Sequence, residues 1–176
     1  MDQAGAAPEL LLDVRDDGVA VITLNRPRAK NTVSFTMWEQ FSAALDHLEN
    51  ATPARMLVLC GAEGYFSNGG DVKLPPARGE GALALAARLE MGQRIINRIR
   101  ALPIPTVAAV EGGAFGVSWS LAMACDMIFA AQDAKFGAPF LEFGLVPDGG
   151  AAWFLARQLG RARAAEIIFS GRTLGA

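Results

Sequence analysis

Two glycine-rich loops, each leaving a short apolar run, limit what this chain can build more than any other feature. The first reads Gly64-Tyr65-Phe66-Ser67-Asn68-Gly69-Gly70-Asp71-Val72-Lys73, after Met56 to Cys60. The second reads Glu111-Gly112-Gly113-Ala114-Phe115-Gly116-Val117-Ser118, after Thr106 to Val110. Glycine lets main-chain N–H groups turn outward and approach a ligand closely. Two such loops at the ends of two strands can aim two donors at one oxygen, which is how an oxyanion hole is built. Neither loop is a phosphate cradle: no Gly-Lys-Ser/Thr follows, and the spacing is not Gly-x-Gly-x-x-Gly. On spacing alone, two tight turns without chemistry fit equally well.

The chain has 176 residues and 52% hydrophobic content, enough for one packed α/β domain over residues 1–176. A net charge of −2 without a basic run argues against a nucleic-acid partner. Cys60 and Cys125 each sit in apolar sequence, far apart, and read as core thiols rather than a disulfide or metal pair. Met1 to Pro8 has neither the basic start nor the apolar run of a signal peptide. No apolar stretch reaches membrane-spanning length. A soluble, cytoplasmic chain without a membrane partner is the expectation.

Periodicity orders the elements. Leu10 to Val14 and Val19 to Leu24, around Asp16-Asp17-Gly18, predict a hairpin. Ser34 caps a predicted helix to about Asn50, with Met37, Phe41, Ala44, Leu45 and Leu48 on one face. Met56 to Cys60 is a short strand. A helix over roughly Ala82 to Ala101 carries Leu85, Leu89, Ile95, Ile96 and Ile99, and Pro103 and Pro105 stop it. Strands at Thr106 to Val110 and Met127 to Ala131 flank a helix through Leu121 to Ala124, and helices through Trp153 to Leu159 and Arg161 to Phe169 follow. Strands alternating with helices indicate parallel pairing in a layered α/β fold.

The catalytic inventory is short. His47 is the one histidine and stands between polar neighbours on a helix, which argues against a Ser-His-Asp triad or a His-rich metal site. Acid–base work then falls to carboxylates, a tyrosine or a lysine. Asp71, Glu111, Asp126, Glu142 and Asp148 lie near glycine loops or turns. Asp71 reads as a turn cap and Asp126 as a helix end. Asp148, before Gly149-Gly150, reads either as an acidic residue favoured by a helix N-terminus or as a base.

Phe66-Ser67-Asn68-Gly69-Gly70-Asp71, Val110 to Gly116, Leu121-Ala122-Met123-Ala124-Cys125-Asp126 and Phe136-Gly137-Ala138-Pro139 stand in order along the chain, with Leu24-Asn25-Arg26-Pro27 before and Ser170-Gly171-Arg172 after. The set resembles the crotonase, or enoyl-CoA hydratase/isomerase, superfamily over nearly the whole chain. That resemblance implies a spiral of ββα units binding an acyl-CoA thioester, with coenzyme A as part of the substrate, no separate cofactor and no metal. It implies that the N–H groups of Gly70 and Val117 hold the thioester oxygen as it becomes enolate-like. Since the backbone donates, a valine there is no obstacle. Arg26 to Asn31 resembles the family's adenine-side loop, which implies CoA contacts from Arg26, Ala29 and Lys73; ordinary surface charge is the other reading of the two cations. Asn68, Asp71 and Phe140 complete the substrate-binding set. The family forms trimers, often paired into hexamers, and usually continues for several dozen residues past the position of Gly175-Ala176. A homotrimer or hexamer, lacking most of the C-terminal helical region, is therefore implied. The series Trp153, Phe154, Leu155, Leu159, Ile167, Ile168 and Phe169 is expected to be left largely uncovered and to form an interface.

Departures from the pattern choose the subtype. A hydratase of this family resembles a two-glutamate machine, and the two positions hold Ser120 and Phe140 here. Glu142, two residues on, is the available substitute. Phe143-Gly144-Leu145-Val146-Pro147-Asp148-Gly149-Gly150 looks like the isomerase branch, in which one acidic residue takes a proton from C2 and returns it to C4. The resemblance implies that Asp148 is that shuttle, with Phe140, Phe143, Trp119 and Val146 expected as its apolar surround. Other readings stay open: a hydratase-like enzyme, a dehalogenase-like enzyme with the aspartate as nucleophile, a ring-modifying isomerase, or a non-catalytic acyl-CoA-binding or assembly relic.

Overall fold

The first two strands, β1 (Leu10–Val14) and β2 (Val19–Leu24), pair antiparallel around a turn in which Asp17 Oδ1 accepts the Val19 N–H at 2.9 Å. The computed structural model describes residues 7–50, 53–73 and 82–176, without the side chains of 82–85 and 88. Helix α1 (Phe35–Asn50) starts where Ser34 Oγ accepts the Met37 N–H at 3.0 Å and donates to the Glu9 carboxylate, a cap worth about 1 kcal/mol. β3 (Met56–Gly61) runs into the first glycine loop, and α2 (Ala82–Ala101) follows it in the chain. β4 (Thr106–Val110), β5 (Gly113–Phe115) and α3 (Val117–Ala124) form a third unit. β6 (Met127–Ala130), β7 (Lys135–Gly137), a 3-10 turn at Pro139–Phe143 and α4 (Ala151–Leu159) form a fourth. α5 (Arg161–Ser170) and the short β8 (Leu174–Gly175) come last.

Two layers result. The main sheet has the order β1-β2-β3-β4-β6, parallel from β2 onward, and the smaller sheet runs β5-β7-β8. Ser67 bridges to Ala114 of β5, and Val33 bridges to Gly70, both in parallel sense. Each unit thus gives its leading strand to the main sheet and a second segment to the smaller layer before its helix. This offset puts both glycine loops at the crossing from one layer to the other.

The core joins alternate residues of the main sheet (Ile22, Leu24, Leu57, Leu59) to Met37, Phe41 and Leu45 of α1 and Ile95, Ile96 and Ile99 of α2, all fully buried. Each large side chain so buried contributes roughly 1.5–3 kcal/mol relative to exposure. Leu89 departs from the expected pattern. It is half exposed, because its face of α2 borders a cavity and not the sheet; the side chain of Leu85 lies outside the described residues. The late apolar series is also corrected. Phe154, Leu155, Ile167 and Ile168 are buried where α4 and α5 pack on each other, leaving Trp153, Leu159 and Phe169 exposed. More exposed apolar surface comes from the edge strand β6, where Met127, Ile128 and Phe129 all face solvent.

Cys60 and Cys125 are free thiols; burial first, then the charge of Asp126, pushes Cys125 up to about 12. Asp126 is structural, its Oδ2 accepting from the Thr106 N–H and Oγ1 at 2.8 and 2.9 Å. His47 is exposed on α1. No described helix is long and apolar enough to cross a membrane.

Candidate active site

The first wall of the site is the segment from Arg26 to Val33, stitched to the first glycine loop. Asn31 adopts a positive φ of 52° and is fully buried. Its Nδ2 donates to the carbonyls of Ala62 and Tyr65 at 3.0 and 2.6 Å, while its Oδ1 accepts the Arg26 N–H at 2.9 Å. Arg26 Nη1 reaches Asp71 Oδ2 at 2.9 Å and the Thr32 carbonyl at 2.7 Å, and its Nε lies 3.4 Å from Glu9. With side chains only 18% and 10% exposed, Arg26 and Asp71 engage each other. Breaking a pair this sheltered leaves a charge stranded, which is far more costly than losing a surface pair. Asp71 also caps the following turn as expected, its Oδ1 accepting the Lys73 N–H at 3.1 Å.

The second wall is the other glycine loop, and Ser118 locks the two together. Its buried hydroxyl accepts the Phe115 N–H at 2.9 Å and lies 2.8 Å from the carbonyls of both Ser67 and Phe115 as acceptors. Ser67 N–H donates to the Gly113 carbonyl, and Phe115 N–H to that of Ser67, at 2.9 and 3.1 Å. At Gly69 backbone meets backbone: a Cβ there would stand 2.7 Å from the Phe115 carbonyl oxygen, and its φ is +91°. Only glycine fits. Gly116, at φ +54° and ψ −127°, then turns the chain directly into α3. Tyr65 braces the first loop from within, its hydroxyl donating to Asn68 Oδ1 at 3.1 Å, and burial raises its pKa.

These junctions orient two N–H groups. In the Val33–Gly70 bridge, Val33 donates to Gly69 and accepts from Asp71, at 2.8 and 3.0 Å. Gly70's own N–H therefore points to the opposite side. Val117 opens α3, so its N–H is a first-turn donor that the helix itself leaves unused. Both residues line one cavity of about 780 Å³.

The same cavity gathers every residue singled out as catalytic or substrate-binding: Asp148, Gly70 and Val117, with Arg26, Ala29, Asn68, Asp71, Lys73 and Phe140. Asp148 is placed by Gly149, whose missing Cβ would meet Ile96 Cδ1 and Val117 Cγ2, each at 2.9 Å, and Ser120 Cβ at 3.1 Å. The Asp148 carbonyl accepts from Ala151 N–H at 2.9 Å and Ser120 Oγ at 3.3 Å, and its carboxylate Oδ1 is shielded from solvent. Ser120, at the first hydratase position, is fully buried.

The expected apolar surround holds only in part. Phe140 and Phe143 line the cavity; Trp119 does not, since it is buried against Phe136 with ring centroids 5.6 Å apart, and Val146 is 75% exposed outside it. Leu145 and Val117 take those places. Glu142 turns away from the cavity, its Oε1 lying 2.8 Å from where a Cβ on Gly171 would stand. Ser118, Asn31 and Tyr65 are the positioning residues that sequence reading passed over. The one available signal is the hydroxyl that ends the second loop.

The family model described as Enoyl-CoA hydratase/isomerase matches residues 14–176. A probable enoyl-CoA hydratase of Bacillus subtilis is 38% identical over 160 residues, covering 90% of this chain and 61% of that protein. The 1,2-epoxyphenylacetyl-CoA isomerase of Escherichia coli is 34% identical over 171 residues, covering 96% and 65%. The crystal structure of an enoyl-CoA hydratase from Bacillus anthracis superposes with a TM-score of 0.88 at 29% identity, covering 96% of this chain and 65% of that one. The chain thus spans less than two thirds of the length of these relatives. With the ordered motifs, the two-layer fold and the paired glycine loops in agreement, the chain belongs to the enoyl-CoA hydratase/isomerase family.

Proposed function

We propose that this chain carries the site of an acyl-CoA isomerase that moves a 3-enoyl-CoA double bond to the 2-position. The observation that supports it is the carboxylate of Asp148 in the cavity of Gly70 and Val117, the other acidic residue lining it among the described residues, Asp71, being engaged by Arg26, with Ser120 and Phe140 at the two positions where a hydratase needs acids. The thioester oxygen accepts from the N–H groups of Gly70 and Val117. Asp148 takes a proton from C2; the freed pair forms a C1–C2 double bond as the carbonyl pair moves onto the oxygen, giving a dienolate conjugated with the 3,4 double bond, and the carbonyl reforms with a 2,3 double bond as the same carboxyl delivers the proton to C4. Atoms and charge balance without a metal or redox partner. The oxyanion donors supply the larger share, on the order of 3–4 kcal/mol for each well-aimed one. Arg28, Lys30 and Lys73 border the cavity and suit the phosphates of coenzyme A. Conversion of 3-enoyl-CoA to conjugated 2-enoyl-CoA tests the reading; unchanged substrate despite CoA binding would favour a relic.

Hydration is the second reading, because relatives bear the name enoyl-CoA hydratase. Adding water needs one group to activate it and another to handle the α-proton. Phe140 can do neither, and Glu142 points elsewhere. Formation of 3-hydroxyacyl-CoA from crotonyl-CoA is therefore expected to be negligible; a rate comparable to isomerisation would overturn the assignment.

A homotrimer or hexamer is part of the same proposal. Met127, Ile128 and Phe129 are exposed on an open edge strand, and Phe143, Val146 and Phe169 are exposed elsewhere, which suits contacts between subunits. Light scattering at micromolar concentration should give a mass above that of one chain. A stable monomer would contradict it.

A further inference from the structure

We propose that Arg26 is a positioning residue that aims the Gly70 N–H through Asp71, and is not a ligand of the coenzyme A phosphates; the inference rests on the CoA-thioester reading above. Gly69 and Gly70 stand side by side, and glycine leaves the direction of a main-chain N–H to its neighbours. What holds Gly70 is an isolated bridge to Val33. Two hydrogen bonds make it, from Val33 N–H to the Gly69 carbonyl at 2.8 Å and from Asp71 N–H to the Val33 carbonyl at 3.0 Å. Keeping one N–H on one oxygen needs a further hold from groups that are themselves locked.

Arg26 supplies that hold. Its Nη1 donates to the Thr32 carbonyl at 2.7 Å, to Thr32 Oγ1 at 3.0 Å and to Asp71 Oδ2 at 2.9 Å. One nitrogen thus ties the residue before Val33 to the residue after Gly70. Asp71 Oδ1 accepts the Lys73 N–H at 3.1 Å, so the same carboxylate fixes the turn that leaves Gly70. Arg26 is locked in its own main chain, its N–H donating to Asn31 Oδ1 and its carbonyl accepting the Asn31 N–H, each at 2.9 Å. Its Nε lies 3.4 Å from Glu9, whose carboxylate also accepts from Ser34 Oγ. A guanidinium so engaged has little left for a phosphate, which leaves that role to Arg28, Lys30 and Lys73 at the cavity. Charge adds a second effect. Asp71 lines the same cavity as the thioester oxygen that turns enolate-like, and an uncompensated carboxylate there would oppose the developing charge. Arg26 offsets it.

Three readouts on Arg26→Gln test this: kcat on 3-enoyl-CoA, calorimetric affinity for butyryl-CoA, and the isotope-edited infrared carbonyl stretch of bound, carbonyl-labelled butyryl-CoA. That ester is saturated and is not turned over. In the parent its stretch should lie below the value in water, because hydrogen bonds polarise the carbonyl. Arg26→Gln should lower kcat by about 10–10²-fold, the scale of a displaced reacting group, return the stretch toward its value in water, and change affinity little. Arg26→Lys, which keeps the charge but spans fewer acceptors, should lose less. Arg26→Gln with Asp71→Asn should be no worse in kcat than Arg26→Gln alone, since the two act through one contact. That double variant strands no charge and carries all three readouts should the single one not fold. Parent-like kcat and carbonyl stretch in Arg26→Gln, whatever its thermal midpoint, overturn the proposal and leave the isomerase reading intact. An affinity loss of about tenfold or more, the scale of a lost charged hydrogen bond, with the stretch unmoved, would make Arg26 a phosphate contact and also overturn it. A parent that binds butyryl-CoA without lowering its carbonyl stretch overturns the oxyanion reading, and the role of Arg26 with it.

Discussion

The Asp148→Asn chain is expected to isomerise 3-enoyl-CoA about 10²–10⁴-fold more slowly than its parent, the share a positioned general base usually supplies. Asparagine keeps the shape of the side chain but cannot accept and return a proton. The main-chain bonds that hold the residue, from Ala151 N–H and Ser120 Oγ to the Asp148 carbonyl, do not involve the carboxylate. The fold should survive and affinity for a CoA ester should change little, so the loss should appear in kcat and not in KM. A chain with near-normal turnover would remove Asp148 from the mechanism. Oxygen from labelled water entering Asp148 during turnover would make it a nucleophile instead, the chemistry of a dehalogenase-like enzyme. Rapid exchange of a C2 proton with solvent by the parent, absent in the variant, would place the lost step at proton abstraction.

Much of this architecture is legible in the sequence where the cause is local. The hairpin, α1 behind its Ser34 cap and α2 before Pro103 all stand within a residue or so of where periodicity and caps put them, because those signals act over a few residues. β5, β7 and β8 are not legible. They are two or three residues long, rich in glycine, and exist through pairing with segments distant in the chain. The site divides in the same way. The glycine loops and Asp148 can be found by residue type and order. The Arg26–Asp71 pair cannot, since it joins positions 45 apart, and each residue alone looks like a ligand contact. Trp119 and Val146 show the converse: closeness to Asp148 in sequence predicts a shared cavity, but helix phase turns one into the core and loop direction turns the other into solvent.

Gly69→Ala should be nearly as damaging to turnover as loss of the base, for a reason that involves no side chain of the parent. An alanine Cβ would stand 2.7 Å from the Phe115 carbonyl oxygen, and backbone cannot retreat as a flexible side chain would. Moving it means parting the loops at the contact that holds Gly70 opposite Val117. The φ of +91° adds backbone strain of about 1–3 kcal/mol, which at this chain length lowers Tm by roughly 2–4 °C per kcal/mol. Misaiming one oxyanion donor costs about 10²–10³ in kcat, and that fall should appear with little change in ester affinity. Gly160→Ala separates strain from geometry: Gly160 also has a positive φ, +78°, but nothing lies within 4 Å of its Cβ position, and it joins α4 to α5 away from the cavity. That chain should lose stability and keep its turnover. If Gly69→Ala and Gly160→Ala lose comparable stability and both stay active, the paired loops are scaffolding only, and the N–H groups of Gly70 and Val117 are not the donors on which the reaction depends.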